Sequence, residues 1–221
     1  MGERRPSEVV DAVRRDRVIA VVRADRIGEP TTLAASLVAG GIRIIELTFT
    51  TPGVLDALSA VSKATHEIGA MIGAGTIRSC AQAEDALNAG ASFLVTPGLG
   101  AEAREIAELA HAAGAAMIHG AFTATEVMAA LSAGADIVKI FPARTGGPQH
   151  LADLLGPFPD VPLLPSGGIN ESNAAAYLAS GACAVTAGTS VVSPEAVAAG
   201  RWDEITTRAT ELASAVRGGA A

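Results

Sequence analysis

The chain has 221 residues, 49% of them hydrophobic, and its 16 basic and 23 acidic residues give a net charge of −7. That charge argues against nucleic acid as a partner, and no apolar run approaches the roughly 20 residues that a membrane helix needs. The length suits one well-buried domain. The two cysteines, Cys80 and Cys183, are too few for a disulfide framework or a zinc set. Because no signal-peptide core follows Met1, we expect a cytoplasmic protein.

Strand and helix patterns alternate along the chain. An amphipathic helix at 7–15 comes first, inside a segment (1–17) whose five arginines alternate with acids and indicate a solvated helix. The predicted strands lie at 18–23, 42–48, 70–73, 92–96, 115–119, 136–141, 163–165 and 183–187. The predicted helices that follow them lie at 31–39, 52–65, 81–89, 101–113, 124–133, 149–155, 171–179 and 209–217. The result is a series of eight strand–helix pairs.

Eight such pairs with nearly continuous apolar strands predict an α/β fold, the (β/α)8 barrel, with a doubly wound sheet as the weaker alternative. Glycine recurs between a helix and the next strand, as at Gly90 and Gly134, where a left-handed residue can close the helix. We therefore expect one barrel domain over 1–221, with an extra N-terminal helix at 1–17 and a flexible Gly/Ala tail at 218–221.

Lys139 stands in the middle of an apolar strand. The chain holds fourteen arginines but only two lysines, Lys63 and Lys139, so surface charge is supplied by arginine and Lys139 lies where a surface charge does not belong. A desolvated lysine amine can act as a nucleophile, whereas a guanidinium stays protonated. The alternative is a lysine at a strand end whose ammonium extends to solvent.

Three strands each bring a charged side chain to one end of the expected barrel. Alternation along the second strand and the residues after it turns Glu46 and Thr50 inward, and the same parity turns Arg23, Lys139 and Phe141 inward. Functional sites of such barrels lie at the carboxyl ends of the strands. A buried structural ion pair of Glu46 with Lys139 is the alternative, although such pairs stabilise proteins weakly.

A lysine beside a glutamate suits imine chemistry. The Lys139 amine attacks a ketone, the protonated imine draws electrons from the adjacent carbon, and Glu46 moves the protons. Arg23 is placed to hold an anionic group of the substrate. No carboxylate–histidine cluster suits Mg²⁺ or Zn²⁺, so neither a metal nor a cofactor is expected. His119 ends the fifth strand and can touch the site from there, but it has no partners for a metal.

Two glycine-rich turns follow the last two strands. The segment PSGG (165–168) follows the seventh, and AGTS (187–190) follows the eighth. Loops at these places often bind phosphate through backbone N–H groups, although either turn alone can be only a tight turn. Thr76 ends the third strand with a hydroxyl facing the same mouth, and Pro97 follows the fourth.

Eight motifs, in order along the chain, match one protein family. They are VIAVVR (18–23), GGIRIIELTFT (40–50), GAGT (73–76), TPG (96–98), VKIFPA (138–143), GPFPD (156–160), PSGGI (165–169) and GTSVV (188–192). Together they resemble the KDPG/KHG aldolases, class I enzymes that release pyruvate. The resemblance implies a metal-independent barrel, commonly a homotrimer, that acts on small molecules. One substrate is 2-keto-3-deoxy-6-phosphogluconate (KDPG), which yields pyruvate and glyceraldehyde 3-phosphate. The other is 4-hydroxy-2-oxoglutarate (KHG), which yields pyruvate and glyoxylate.

The resemblance also implies residue roles. The Schiff-base lysine falls on Lys139 and the general acid/base on Glu46. The family's substrate contacts fall on Thr76, Pro97 and Phe141. Its phosphate-loop positions fall on Ser166, Gly167, Gly168, Gly188 and Thr189.

The chain departs from the family pattern at three positions. Some members carry an arginine at the place of Thr50, where it holds the pyruvate carboxylate, and we predict that Arg23 takes over this role. His119 stands where proline is common, and Ser166 stands where threonine is common.

We expect a class I aldolase that prefers KDPG. A phosphosugar isomerase or epimerase, and a non-catalytic phosphometabolite-binding barrel, are the alternatives.

Overall fold

The computed structural model describes residues 6–218, which contain eight strands and the helices around them. The strands are β1 (Val18–Val22), β2 (Ile44–Thr48), β3 (Met71–Gly75), β4 (Phe93–Val95), β5 (Ala116–Ala121), β6 (Ile137–Ile140), β7 (Leu163–Pro165) and β8 (Val185–Ala187). The helices are α1 (Pro6–Asp16), α2 (Pro30–Ala39), α3 (Val54–Ile68), α4 (Cys80–Asn88), α5 (Ala103–Ala112), α6 (Ala124–Ser132), α7 (Ala143–Leu155), α8 (Ala174–Ala179), α9 (Pro194–Ala198) and α10 (Trp202–Gly218). Among the described residues, no helix is both long enough and apolar enough to span a membrane.

The strands form a parallel ring in chain order. Each strand pairs with the next, and β8 pairs with β1. The ring is completed between β7 and β8 by a bridge from Ser166 to Thr186 and by the Cys183 N–H, which donates to the Leu163 carbonyl. A doubly wound sheet reverses its strand order part-way, which this ring does not do. The predicted (β/α)8 barrel is confirmed.

Strand residues divide by parity into two apolar layers, as the alternation predicted. Ile45 and Ile140 pack outward against the helices, while Ile44 and Ile137 fill the barrel interior. The glycines that close helices behave as predicted too, since Gly90 has a φ of 96° and Gly134 a φ of 98°. Side chains on the inward parity therefore reach either the interior or the mouth of the barrel.

Helix α1 closes the amino end of the barrel. Val9 and Val13 are fully buried and pack with Phe93 and Ile118 of the interior layer. The predicted N-terminal helix is present, but one of its faces packs in the core. The prediction of a solvated helix therefore holds only for the opposite, charged face. Residues 1–5, with two of the five arginines, lie outside the described part of the chain.

The main differences from the predicted elements lie in the last third of the chain. Helix α7 begins at Ala143 instead of 149, and Gly147 breaks it with a φ of 69°. Helix α9 was not predicted, and α10 begins at Trp202 instead of 209. Gly218, expected in the tail, ends α10, and residues 219–221 lie outside the described residues.

Candidate active site

A cleft of about 720 Å³ opens at the carboxyl ends of the strands. All but one of the predicted site residues line it: Arg23, Glu46, Thr76, Pro97, Lys139, Phe141, Ser166, Gly167, Gly168, Gly188 and Thr189. The exception is Thr50, an exposed residue whose hydroxyl lies 3.0 Å from that of Thr48. Alternation thus placed side chains of three strands, those of Arg23, Glu46 and Lys139, at one mouth, where the structure has them, and its extension beyond β2 placed Thr50 incorrectly.

Lys139 lies at the centre of the cleft wall. Its residue is only 7% exposed, and it is in register with Gly120 of β5 and Leu164 of β7. The ammonium lies 5.5 Å from the centroid of the Phe141 ring, within the range of a cation–π contact. Within residues 6–218 it makes no hydrogen bond and no ion pair, so the amine is available to a ligand in the cleft.

Glu46 faces the cleft from β2. It is 1% exposed, and neither carboxylate oxygen has a hydrogen-bond partner. The carboxylate occupies the space beside Gly75 of β3, where any Cβ would collide with it. Burying a carboxylate without a donor is costly, so the position suggests that a ligand in the cleft supplies the missing partner.

No ion pair joins Lys139 to Glu46 in the described part of the chain, although both line one cleft. The alternative of a structural ion pair is therefore excluded. The cleft that both residues line, about 720 Å³ in volume, leaves room for a small molecule.

His119 lies behind this site. It is paired with the outward-facing Val138 and does not line the cleft, so the expectation that it touches the site is wrong. Its Nδ1 lies 3.1 Å from the Thr96 hydroxyl, which also accepts the Gly120 N–H at 3.2 Å. Burial lowers the pKa of His119 to about 4, so the ring is neutral at pH 7. Gly120 in turn contacts Pro97 so closely that a Cβ there would collide with the proline backbone.

The glycine-rich turn after β7 offers free donors. Gly167 and Gly168 have φ values of 96° and 83°, a region that L side chains rarely adopt. Within the described residues their N–H groups, and that of Thr189 in the neighbouring turn, have no acceptor. Converging free amides suit an oxyanion. Thr76, at a φ of 59°, is one of two described non-glycine residues in the left-handed region, and such strained residues often lie at functional sites.

Arg144 is the main cleft residue that the sequence reasoning missed. It lines the cleft at the start of α7, immediately after the VKIFPA motif. A charged residue shortly after a barrel strand is the available signal, but the predicted helix begins only at 149. Thr186 and Ser190 also line the cleft and were not predicted. Among residues 6–218, no three His, Cys, Asp or Glu side chains are grouped to hold a metal.

Comparison with known sequences agrees with this geometry. The sequence model of the KDPG and KHG aldolases matches residues 9–208. The chain belongs to the KDPG and KHG aldolase family. This confirms the resemblance that the motifs indicated.

Relatives in the KDPG and KHG aldolase family match the chain over most of its length. The 2-dehydro-3-deoxy-phosphogluconate aldolase of Treponema pallidum (strain Nichols) is 36% identical over 200 residues, 90% of this chain and 92% of that protein. The KHG/KDPG aldolase of Escherichia coli (strain K12) is 34% identical over 195 residues, 88% of this chain and 89% of that protein.

One solved relative is similar in fold as well. The KDPG aldolase of Legionella pneumophila, with pyruvate captured as a covalent carbinolamine intermediate, has a TM-score of 0.82 and 32% identity, covering 96% of this chain and 99% of that one.

Proposed function

We propose that this chain is a class I aldolase that reversibly cleaves KDPG to pyruvate and glyceraldehyde 3-phosphate. The observation that carries the proposal is a buried, unpaired Lys139 amine facing the same cleft as a buried, unpartnered Glu46 carboxylate. Its relatives bear aldolase names. The Legionella enzyme holds a carbinolamine, the first adduct that an amine forms with a ketone.

The first step forms the imine. The neutral Lys139 amine attacks the C2 ketone, and a proton moves from nitrogen to oxygen to give a carbinolamine. Glu46 in its acid form donates a proton to the carbinolamine hydroxyl, which leaves as water, and the nitrogen lone pair forms the C=N bond. The product is a protonated imine on Lys139 and an ionised Glu46.

The second step breaks the C3–C4 bond. Glu46 accepts the proton of the C4 hydroxyl, the C4–O bond becomes the carbonyl of the departing aldehyde, and the C3–C4 electrons form the enamine. Glu46 then returns the proton to C3, and water hydrolyses the pyruvyl imine. KHG has the same groups at C2 and C4, so we propose it as a second substrate of the same site.

Arg23 and the glycine turns hold the two ends of the substrate. The Arg23 guanidinium lines the cleft and makes no hydrogen bond or ion pair within residues 6–218, so it is free to bind the pyruvate carboxylate in place of the family's arginine. Thr76, Pro97 and Phe141 complete the pyruvate pocket. The free amides of Gly167, Gly168 and Thr189 receive the phosphate, with Ser166 and Gly188 beside them.

Borohydride reduction in the presence of pyruvate, followed by peptide mass spectrometry, tests the proposal. We expect an N-carboxyethyl adduct on the peptide that contains Lys139, and none in Lys139→Arg. Lys63→Arg, which replaces the other lysine, is the matched control and should label like the wild type. A folded protein with no adduct at Lys139 would overturn the aldolase mechanism.

The two alternatives predict different results. An isomerase or epimerase on this barrel stays active in Lys139→Arg because it needs no imine. A non-catalytic binding barrel is stabilised by phosphorylated sugars but turns none over. Loss of KDPG cleavage in Lys139→Arg, with retained stabilisation by ligand, argues against both.

The homotrimer and the cytoplasmic location stay predictions. Within residues 6–218 the exposed large apolar side chains are Phe141, in the cleft, and Met128 and Leu131, one turn apart on α6 and 59% and 38% exposed. This face of α6 is the first place to look for an interface. Sedimentation of a monomer at micromolar concentration would contradict the trimer.

A further inference from the structure

Arg144 is fixed to the glycine turn that follows β7. Its N–H donates to the Gly167 carbonyl at 3.1 Å, and the Ala143 N–H donates to the Ser166 carbonyl at 2.7 Å. The Arg144 stem packs on Gly168, since a Cβ added to that glycine would lie 2.7 Å from the arginine Cβ and 3.0 Å from its Cδ. Backbone and stem therefore both hold Arg144 against the turn.

The guanidinium of Arg144 has no hydrogen-bond or ion-pair partner among residues 6–218. Arg15, Arg43, Arg201 and Arg208 each pair with a carboxylate, whereas the Arg144 guanidinium has no acceptor in the part of the chain that the structure describes. Its stem lies against Gly168, and Arg144, Gly167 and Gly168 line the same cleft. A guanidinium and free backbone amides that line one cleft suit a phosphate better than a neutral group.

The charge of the cleft also favours an anionic ligand. Its charged lining consists of three cations, Arg23, Lys139 and Arg144, and one buried acid, Glu46. The chain as a whole carries a net charge of −7. A cleft of opposite sign to its protein attracts an anion, and the surplus of cations over the one acid suits a substrate that is anionic at both ends.

The position of the turn selects which anion reaches it. Lys139 is in register with Leu164, and Gly167 lies three residues further along the chain. At roughly 3.3 Å per residue, the turn lies up to about 10 Å along the chain beyond the level of the Lys139 Cα. A phosphate on C6 of a six-carbon substrate extends much further from C2 than the C5 carboxylate of a five-carbon one.

We propose that Arg144 is a specificity-determining residue that binds the terminal phosphate of the aldehyde half of the substrate, together with the Gly167 and Gly168 amides. The inference rests on the proposed aldolase function. Arg144 does not touch the reacting atoms; it distinguishes a phosphorylated from an unphosphorylated aldehyde half.

The test compares three variants on two substrates. Arg144→Met keeps the unbranched stem on Gly168 and removes the fork, and Arg144→Lys keeps the charge and removes the fork. Arg78→Met is the matched control, because Arg78 is an exposed arginine that lines a second cavity of about 250 Å³ and not the cleft, although the two share Pro97. For each, kcat/KM is measured with KDPG and with its unphosphorylated analogue, 2-keto-3-deoxygluconate. Trapping of pyruvate by borohydride reports folding and imine chemistry.

We expect Arg144→Met to lower kcat/KM for KDPG by about 10- to 100-fold, the range for hydrogen bonds to a charged group, and to leave the analogue within about twofold. Arg144→Lys should fall between this variant and the wild type, and Arg78→Met should match the wild type. Pyruvate trapping should be the same in all of them, since pyruvate carries no aldehyde half.

Three outcomes overturn the inference. One is an equal loss, or no loss, on both substrates in an Arg144→Met protein that still traps pyruvate. The second is the same selective loss in Arg78→Met, which would reveal a long-range charge effect. The third is a loss confined to 2-keto-3-deoxygluconate, which would assign Arg144 to a part of the substrate other than the phosphate. Failure of the wild type to trap pyruvate is a separate result, because it removes the aldolase function itself.

Discussion

Glu46, the proposed proton carrier, is held in place by packing alone. Its two oxygens are buried without a partner, and Gly75 gives the carboxylate its space. Because no donor from a neighbouring strand occupies these oxygens, both are open to a ligand in the cleft. Among residues 6–218, the cations of the cleft lining are Arg23, Lys139 and Arg144, which we assign to the substrate.

Replacing Glu46 with glutamine removes the proton carrier and keeps the shape. We expect kcat for KDPG cleavage to fall by about 10²- to 10⁴-fold, the usual contribution of general acid–base catalysis. Steady-state kinetics with KDPG measures the loss. Glu67→Gln, an exposed change on α3, is the control. A Glu46→Gln enzyme within twofold of the wild type would assign proton transfer to another group.

Alternation predicted the inward residues on strands and one residue beyond them, at Arg23 and Phe141, but it failed further along the chain. Glu46 and Lys139 follow the two-residue period because both are inside a strand. Thr50 does not, because β2 ends at Thr48 and a turn follows. Arg144 was missed for a related reason, since Gly146, Gly147 and Pro148 hide the helical pattern in which it lies.

At the scale of elements, β4 and β5 support the cleft from behind. The Thr96 hydroxyl joins His119 to the Gly120 amide, and Gly120 lies under Pro97 at the rim of the cleft. From the sequence alone, His119 could be placed only at the end of a strand. Its outward direction depends on the register with β6, which pairs it with Val138.

This arrangement predicts a pH-dependent stability. The pKa of His119 falls from 6.5 to about 4 on burial. Between pH 6.5 and 4, the proton binds to His119 in the unfolded chain but not in the folded one. The free energy of unfolding is therefore unaffected by His119 above pH 6.5 and decreases as the pH falls toward 4. The loss amounts to at most about 3 kcal/mol.

Urea unfolding at several pH values measures this contribution. The fall in unfolding free energy between pH 6.5 and 4.5 should be smaller in His119→Gln than in the wild type. His66→Gln, at an exposed site on α3, should retain the wild-type pH dependence. If His119→Gln retained it as well, other groups would account for the acid sensitivity.

At the scale of the whole molecule, the barrel has two different ends. The carboxyl ends of the strands hold the cleft, and α1 closes the amino ends with Val9 and Val13. The alternation of elements predicted the barrel because each strand–helix pair is local in sequence. The docking of α1 was not predicted, because its amphipathic pattern shows a buried face but not the surface that buries it.

Shortening a buried side chain of α1 should affect stability alone. We expect Val13→Ala to lower the free energy of unfolding by about 2 kcal/mol, from lost burial and the cavity left behind. Because α1 and the cleft lie at opposite ends, kcat should not change. Asp11→Ala, exposed on the same helix, should stay within about 0.5 kcal/mol of the wild type. A fall in kcat in Val13→Ala would reveal coupling between the two ends.

The scarcity of lysine makes the proposed chemistry directly visible by NMR. Lysine labelled with nitrogen-15 at Nζ introduces two side-chain nuclei, one in the buried Lys139 and one in Lys63 on the exposed face of α3. Addition of pyruvate converts the first nucleus from an amine to an imine nitrogen, whose resonance lies far from that of an alkylamine, and the second remains as an internal reference. Each covalent state of the cycle can then be followed in the unmodified chain, without a mutation or a chemical trap.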